Sequence, residues 1–157
     1  SNGDGFDGNR STNISPPYDY WVVLRLRNST SSRKYIFDTS NSTRNAALST
    51  SSDGSVWSIV VSGNPTDSSV STDTNYHLFH FEDRDNDNSN LRIDAGNDTA
   101  VTDNPSNFDG IRFSRGDGSL EVDLDATELL LYDSDVTDYS RSDVESYFSN
   151  QYPSLSL

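Results

Sequence analysis

Residues 125–152, DATELLLYDSDVTDYSRSDVESYFSNQY, join a strand to the one segment of the chain with a helical pattern. The segment ELLLY at 128–132 is apolar and strand-like. After a polar loop, Ser140 can cap a helix, with Asp143 three residues on as a variant of the capping box. We predict a helix over about 140–151. Its apolar residues would share one face: Val144, Tyr147, Phe148 and Tyr152.

Upstream of this stretch, apolar residues occur in short blocks separated by Ser, Asn, Asp and Gly, as in strands joined by polar turns. Residues 18–27 alternate with the period of a strand. One face carries Tyr20, Val22, Leu24 and Leu26, and the other carries Trp21, Val23, Arg25 and Arg27. Further predicted strands are 34–38, 46–50, 55–62, 76–82, 90–94, 110–114, 120–125 and 128–132, the last two of which can form one long bent strand.

Eight to ten short strands and one terminal helix predict an all-β fold, a two-sheet jelly-roll sandwich with a short C-terminal helix. The length of 157 residues fits one domain. Residues 1–17 end in Pro16-Pro17 and are predicted as an N-terminal arm or partial first strand. The sandwich is assigned to 18–157, and 63–74 within it is predicted as a polar loop.

The composition is unusual for a folded domain. Only 31% of residues are hydrophobic and the net charge is −14, values that would suggest disorder without the strand pattern. There are 21 Asp but 4 Glu, and 10 Arg but one Lys. Short carboxylates hold water and cations while exposing little alkyl surface, and such a surface stays soluble where salt screens charge. We therefore expect adaptation to very salty water.

Charge and composition exclude several classes of function. A strongly acidic chain is unsuited to nucleic acid or to anionic membrane surfaces. No apolar run is long enough to cross a membrane, and no stretch has the pattern of a signal peptide. Because the first residue is Ser1 and not Met, we expect a chain processed or excised from a longer one. The absence of Cys excludes disulfides and thiolate zinc sites.

Four segments together resemble the laminin-G-like jelly-roll domains of the concanavalin A-like class. Residues 125–152 resemble the closing strand, loop and helix of these domains. Residues 79–94, FHFEDRDNDNSNLRID, resemble the family hairpin with its pattern Leu-Arg-hydrophobic-Asp-Gly, although Ala95-Gly96 follows Asp94 where the family has Gly. Residues 6–8 and 20–26 resemble the first part of the domain. The resemblance covers most of 5–152 and implies adhesion, carbohydrate binding, or a building block of secreted proteins and viral appendages. Since the family usually begins with another strand or two, a preceding segment or a partner subunit could supply the missing edge.

An acidic hairpin tip is the candidate metal site. Asp83, Asp85 and Asp87 offer oxygen ligands at alternate positions, which suits Ca²⁺. They resemble the start of an EF-hand loop, but Asn88 stands where Gly is expected and Asp94 where Glu is expected. The favoured interpretation is a hairpin tip with salt-adapted acids, and calcium is the alternative. No other cofactor is expected.

A second acidic set is the candidate catalytic site. Glu121, Asp123 and Asp125 lie at alternate positions and would face one way on a strand. Retaining glycosidases need two carboxyls about 5 Å apart, a spacing that alternate strand positions supply. The favoured interpretation is a solvated acidic face, so the chain is predicted not to be an enzyme. A glycoside hydrolase using Glu121 and Asp125 is the alternative.

The histidines and large aromatics are predicted to be structural. His77 and His80 fall on opposite faces of a strand, which favours packing or exposure over a shared ligand. A set of aromatic residues could stack a sugar but is more typical of core: Trp21, Trp57, Tyr18 and Tyr20.

These features predict a halophilic surface or virion structural protein, such as a tail, spike or turret appendage. The laminin-G-like domain would attach to a host surface or glycan. The expected partners are a cell-surface glycan or glycoprotein and other virion or surface subunits, in a homo-oligomer with no nucleic acid and no membrane insertion. The expected location is extracellular, on a virion or cell surface in high salt. The alternative is a secreted carbohydrate-binding module of a larger halophilic protein.

Overall fold

The computed structural model describes residues 7–39, 46–84, 89–101, 107–113, 122–133, 140–155 and 157. Within this set it describes the side chains of all residues except 7–13, 109 and 133.

This part of the chain forms eleven strands and one helix. The elements are β1 Asp7–Ile14, β2 Tyr18–Leu26, β3 Tyr35–Asp38, β4 Ala46–Thr50, β5 Val56–Val61, β6 Asn64–Ser71, β7 His77–Asp83, β8 Ser89–Ile93, β9 Thr99–Val101, β10 Phe108–Phe113, β11 Leu124–Asp133 and α1 Arg141–Gln151. Six strands form one antiparallel sheet in the order β1-β10-β3-β4-β5-β6, and five form the other in the order β11-β2-β7-β8-β9. The predicted two-sheet jelly-roll sandwich with a C-terminal helix is confirmed.

The core between the sheets is built on the alternation of β2. Tyr20, Val22 and Leu24 are 0% exposed and belong to the main apolar cluster, as predicted for this face. The opposite face of β2 is buried as well, because Trp21 and Val23 lie in a second cluster with residues of α1. The five-stranded sheet is therefore covered on both faces at its centre.

Strand β11 confirms that the two predicted segments join into one bent strand, but this strand begins at Leu124, since 122–123 are not in it and 120–121 lie outside the described residues. It pairs with β2 from Leu124↔Leu26 to Asp133↔Tyr18, and its register shifts between Ala126 and Glu128. A β-bulge of this kind bends a strand without ending its pairing.

One part of the first sheet differs from the sequence prediction. The predicted loop 63–74 contains β6, which pairs with β5 at the edge of the sheet. Because an edge strand has one neighbour and tolerates both exposed polar residues and Pro65, it lacks the apolar pattern that marks an inner strand. Strand β1, which pairs with β10, lies within the segment 1–17 that was predicted as an arm or partial first strand, and it agrees with the second of these alternatives.

Helix α1 begins where the capping pattern predicted. The Ser140 side chain accepts a hydrogen bond from the Asp143 backbone N–H at 3.2 Å. Val144 and Phe148 are buried against the sheet, whereas Tyr147 is 42% exposed and so does not belong to the predicted apolar face. No helix in the described ranges is long and apolar enough to cross a membrane.

Candidate functional site

The outer face of the five-stranded sheet carries a cluster of ionisable groups. The β2–β7 register places Asp19 opposite Glu82 and Trp21 opposite His80. All four side chains point to the face on which α1 lies, because alternate residues of a strand share a face. Like charges directly opposite each other destabilise a strand pair unless a cation lies between them.

Two arginines provide positive charge at this point. The Arg84 Nη2 lies 3.3 Å from Asp19 Oδ1 and 3.0 Å from Glu82 Oε1, so one guanidinium bridges the opposed carboxylates. Arg141, at the start of α1, donates from Nη2 to the same Glu82 oxygen at 2.7 Å. Burial opposes ionisation of Glu82, but the hydrogen bond from Arg141 and the charge of Arg84 outweigh it and lower its pKa. Glu82 is therefore held as a carboxylate.

His80 lies beneath these ion pairs and stays neutral. Its side chain is 2% exposed and its ring stacks on Trp21 at a centroid distance of 3.6 Å. Burial, followed by the charges of Arg141 and Arg84, lowers the pKa of His80 to about 3. Neither ring nitrogen has a hydrogen-bond partner among the described residues, and Nε2 lies 3.9 Å from Glu82 Oε1. Such an unsatisfied buried pair of polar atoms is uncommon.

The same ion pairs continue to the edge of α1. Arg141 also pairs with Asp98 at 3.2 Å, and Arg92 lies 3.5 Å from that residue. The Arg92 Nε then reaches Glu145 of α1 at 3.1 Å, and its Nη2 donates to the Ala95 carbonyl at 2.7 Å. Charges on three strands and their loops thus fix the N-terminal half of the helix to the sheet.

A polar cleft opens beside this contact, between α1 and the turn after β8. Its volume is about 360 Å³. It is lined by Ala95, Ser142, Glu145, Ser146, Ser149, Asn150 and Leu157. Four of its lining side chains from the helix carry hydroxyl or amide groups, which both donate and accept hydrogen bonds.

The predicted calcium ligands are only partly covered by the described residues. Asp83 is 0% exposed at the end of β7 and accepts a hydrogen bond from Ser89 Oγ at 3.1 Å. Asp85 and Asp87 lie outside the described residues. Asp94, the residue at the last EF-hand position, accepts from His77 Nδ1 at 2.5 Å and from the Leu78 backbone N–H at 2.9 Å. Calcium binding at this hairpin stays a prediction.

The predicted glycosidase pair is likewise incomplete. Glu121 lies outside the described residues, whereas Asp125 lies on β11. Asp125 accepts from Arg25 Nε at 3.0 Å and from Arg27 Nε at 2.8 Å, and these hydrogen bonds lower its pKa. A general acid needs the opposite shift, so Asp125 is unsuited to that role.

The large aromatics proposed as core are core. Trp21, Trp57, Tyr18 and Tyr20 are each at most 1% exposed. The histidines lie on opposite faces, since His77 contacts Trp57 in the core while His80 stacks on Trp21.

Sequence reasoning missed Asp19, Arg84 and Arg141 as members of one cluster. The alternation of side chains along a strand places Asp19 on the same face of β2 as Trp21, and His80 on the same face of β7 as Glu82. The pairing of two strands about 60 residues apart carries no such local signal.

No family model and no curated protein sequence matches the chain. Solved structures do match its fold. A sialidase of Trypanosoma rangeli matches with a TM-score of 0.64 and 10% identity, over 96% of this chain and 28% of the sialidase. A structure described as a receptor binding domain matches with a TM-score of 0.67 and 12% identity, over 96% of this chain and 41% of that chain.

A botulinum neurotoxin type C structure also matches, with a TM-score of 0.60 and 10% identity over 93% of this chain and 42% of that one. The chain therefore spans less than half the length of these proteins. At such identities the likeness establishes the fold, a β-sandwich of the jelly-roll class.

Proposed function

We propose that this chain is a non-enzymatic, laminin-G-like glycan-binding domain on an outer surface in very salty water. The surface would be that of a virion appendage, such as a tail, spike or turret, or of a cell. Its partners would be a cell-surface glycan or glycoprotein and further copies or subunits of the same assembly. The location would be extracellular.

The fold similarity carries the proposal. For the matching structure of botulinum neurotoxin type C, the cell entry of that toxin is described as dependent on interaction with two ganglioside molecules. A Trypanosoma rangeli sialidase that matches is described in complex with sialic acid. Two otherwise different proteins that match this fold are thus described with a ganglioside or with sialic acid.

The cleft beside α1 is the surface that we assign to the sugar. Ser142, Ser146, Ser149 and Asn150 present hydroxyl and amide groups to a volume of about 360 Å³. Sugars offer many hydroxyls that both donate and accept, and such side chains match them. Glu145 supplies one carboxylate acceptor at the wall next to Arg92. Among the residues that line the cleft, Glu145 has the single acidic side chain, whereas the chain as a whole is strongly acidic.

The net charge of −14 supports the saline setting, because repulsion among carboxylates is weak only where salt screens it. The two alternatives carry less support. A secreted carbohydrate-binding module of a larger halophilic protein would agree with the finding that this chain covers less than half the length of the matching proteins. A glycoside hydrolase would need an acid, and Asp125 is held ionised by Arg25 and Arg27.

The proposal is tested by binding of the chain to purified haloarchaeal cell envelopes in multimolar KCl, before and after enzymatic removal of glycans. Saturable binding that disappears with the glycans supports it. Ser146→Tyr fills the cleft and is expected to abolish that binding. Ser71→Tyr, on the exposed edge strand β6 of the other sheet, is the matched control and should bind normally. Binding that survives glycan removal, or no binding to any envelope, contradicts the proposal.

A further inference from the structure

Three side chains of the outer sheet face converge on one point. One ligand atom each of Asp19, His80 and Glu82 lies within 4.8 Å of the others. The opposed carboxylates come from directly paired residues of β2 and β7, and His80 lies two residues from Glu82 on the same face. An imidazole nitrogen and two carboxylate oxygens are a common ligand set of first-row divalent metals.

His80 gives independent support for a ligand at this point. Its side chain is 2% exposed, its Nε2 points towards Glu82, and neither ring nitrogen has a hydrogen-bond partner among the described residues. A buried imidazole without a partner loses the hydrogen bonds that it would make to water. A metal ion bound to Nε2 would restore one of them. The stack on Trp21 fixes the plane of the ring, as groups around metal-binding histidines commonly do.

We propose that Asp19, His80 and Glu82 form a binding site for a divalent first-row transition-metal ion, of which Zn²⁺ is the representative case. Ligand distances to Zn²⁺ are about 2.0–2.2 Å and its preferred geometry is tetrahedral, so neighbouring ligand atoms lie about 3.4 Å apart. Separations of up to 4.8 Å between the ligand atoms therefore have to close by up to about 1.4 Å. Three protein ligands leave at least one position for water or a ligand oxygen. Imidazole favours such ions over Ca²⁺ and Mg²⁺.

Arg84 occupies the position of the ion between the carboxylates. Its side chain is 39% exposed, whereas those of Asp19 and Glu82 are 6% and 13% exposed. Arg84 can therefore turn into solvent, while the carboxylates stay in place. Arg141 need not leave, because it is also held by Asp98. Arg84 then acts as the competing cation, and removing it frees the site for metal.

The test uses the whole chain with Zn²⁺ in titration calorimetry and Co²⁺ in visible absorption. We expect one ion per chain, and chemical-shift changes at the ring of His80 but not at that of His77 when diamagnetic Zn²⁺ is added. His80→Phe keeps an aromatic ring on Trp21 and removes the ligand nitrogen, so it should weaken Zn²⁺ by about tenfold or more. Arg84→Gln should tighten Zn²⁺ binding.

Glu145→Gln is the matched control, since it neutralises a carboxylate of the same ion-pair network outside the ligand set, and it should leave Zn²⁺ affinity unchanged. Circular dichroism establishes that each variant is folded. The proposal is overturned if neither the wild type nor Arg84→Gln binds Zn²⁺. It is also overturned if Zn²⁺ binds to either protein but leaves the ring signals of His80 unchanged.

Discussion

Trp21 and His80 lie face to face, with their rings 3.6 Å apart between centroids and inclined by 5°. They are directly opposite each other in the β2–β7 pairing, so the strand register alone brings them together. Phe148 of α1 lies 6.3 Å from Trp21 on the same face. The helix, the indole and the imidazole therefore form one packed stack, with the ion pairs of Glu82 at its side.

His80 should make the fold sensitive to acid. Burial lowers the folded-state pKa of His80 to about 3, below the ordinary value of 6.5, so the unfolded chain takes up a proton first as pH falls. Stability should therefore fall between pH 6.5 and about 3, with a slope of at most about 1.4 kcal/mol per pH unit from this residue. Urea unfolding at several pH values measures it. His80→Phe should show a shallower decline, and an unchanged slope would contradict the prediction.

His77 should behave in the opposite way. Burial opposes its protonation, but hydrogen bonds to Asp94 at 2.5 Å and Asp73 at 2.9 Å outweigh this and raise its pKa. Its stabilising contribution is thus complete below pH 6.5 and is lost as pH rises through the folded-state pKa. A nuclear magnetic resonance titration should give a midpoint above 6.5. Asp94→Asn should lower that midpoint, and a wild-type midpoint at or below 6.5 would refute the prediction.

Glu128 should control the ionisation of Tyr147. The Tyr147 hydroxyl donates to Glu128 Oε1 at 2.6 Å, and this hydrogen bond raises the pKa of the phenol. Glu128→Gln removes the negative acceptor, so we expect the pKa of Tyr147 to fall. Ultraviolet absorbance of tyrosinate follows the change, and Tyr147→Phe identifies the signal. An identical titration in wild type and Glu128→Gln would be the contrary result.

Substitutions at two glycines with positive φ should distinguish the cost of backbone strain from the cost of a steric clash. Gly54 has φ +77° and an added Cβ would lie 2.5 Å from the Thr30 carbonyl oxygen. Gly63 has φ +86° and nothing within 4 Å of that position. Gly63→Ala should cost about 1–2 kcal/mol in unfolding free energy. Gly54→Ala should cost about 1–3 kcal/mol more, because the backbone of Thr30 has to move. Equal costs in urea unfolding would show that the close approach is unimportant.

The net charge should make stability depend on salt. At 0.1 M salt, charges interact over about 10 Å, whereas at 1 M the range is about 3 Å. With a net charge of −14, we expect the urea midpoint to rise as KCl is increased through this range and beyond. Sucrose of matched osmotic strength is the uncharged control. A midpoint that falls or stays constant with KCl would remove the basis for proposing a saline setting.

The sequence alone determined the class of the fold. Alternation in β2 identified the core-facing residues, because the side-chain direction in a strand is a local property. The capping serine likewise located the start of α1, since Ser140 bonds a residue three positions away. Edge strand β6 was missed because an edge strand has no buried apolar stripe to mark it.

Only the tertiary structure decided which residues form the candidate sites. Nothing local distinguishes the buried Asp19 from any other Asp among 21, since its burial results from a register with β7 and from the helix above. Arg84 and Arg141 both form ion pairs with Glu82, although they are far apart in the sequence. The hydrophobic period and the composition can be read from the sequence itself. The strand register and the contacts between helix and sheet depend instead on packing between residues far apart in the chain, which no local pattern encodes.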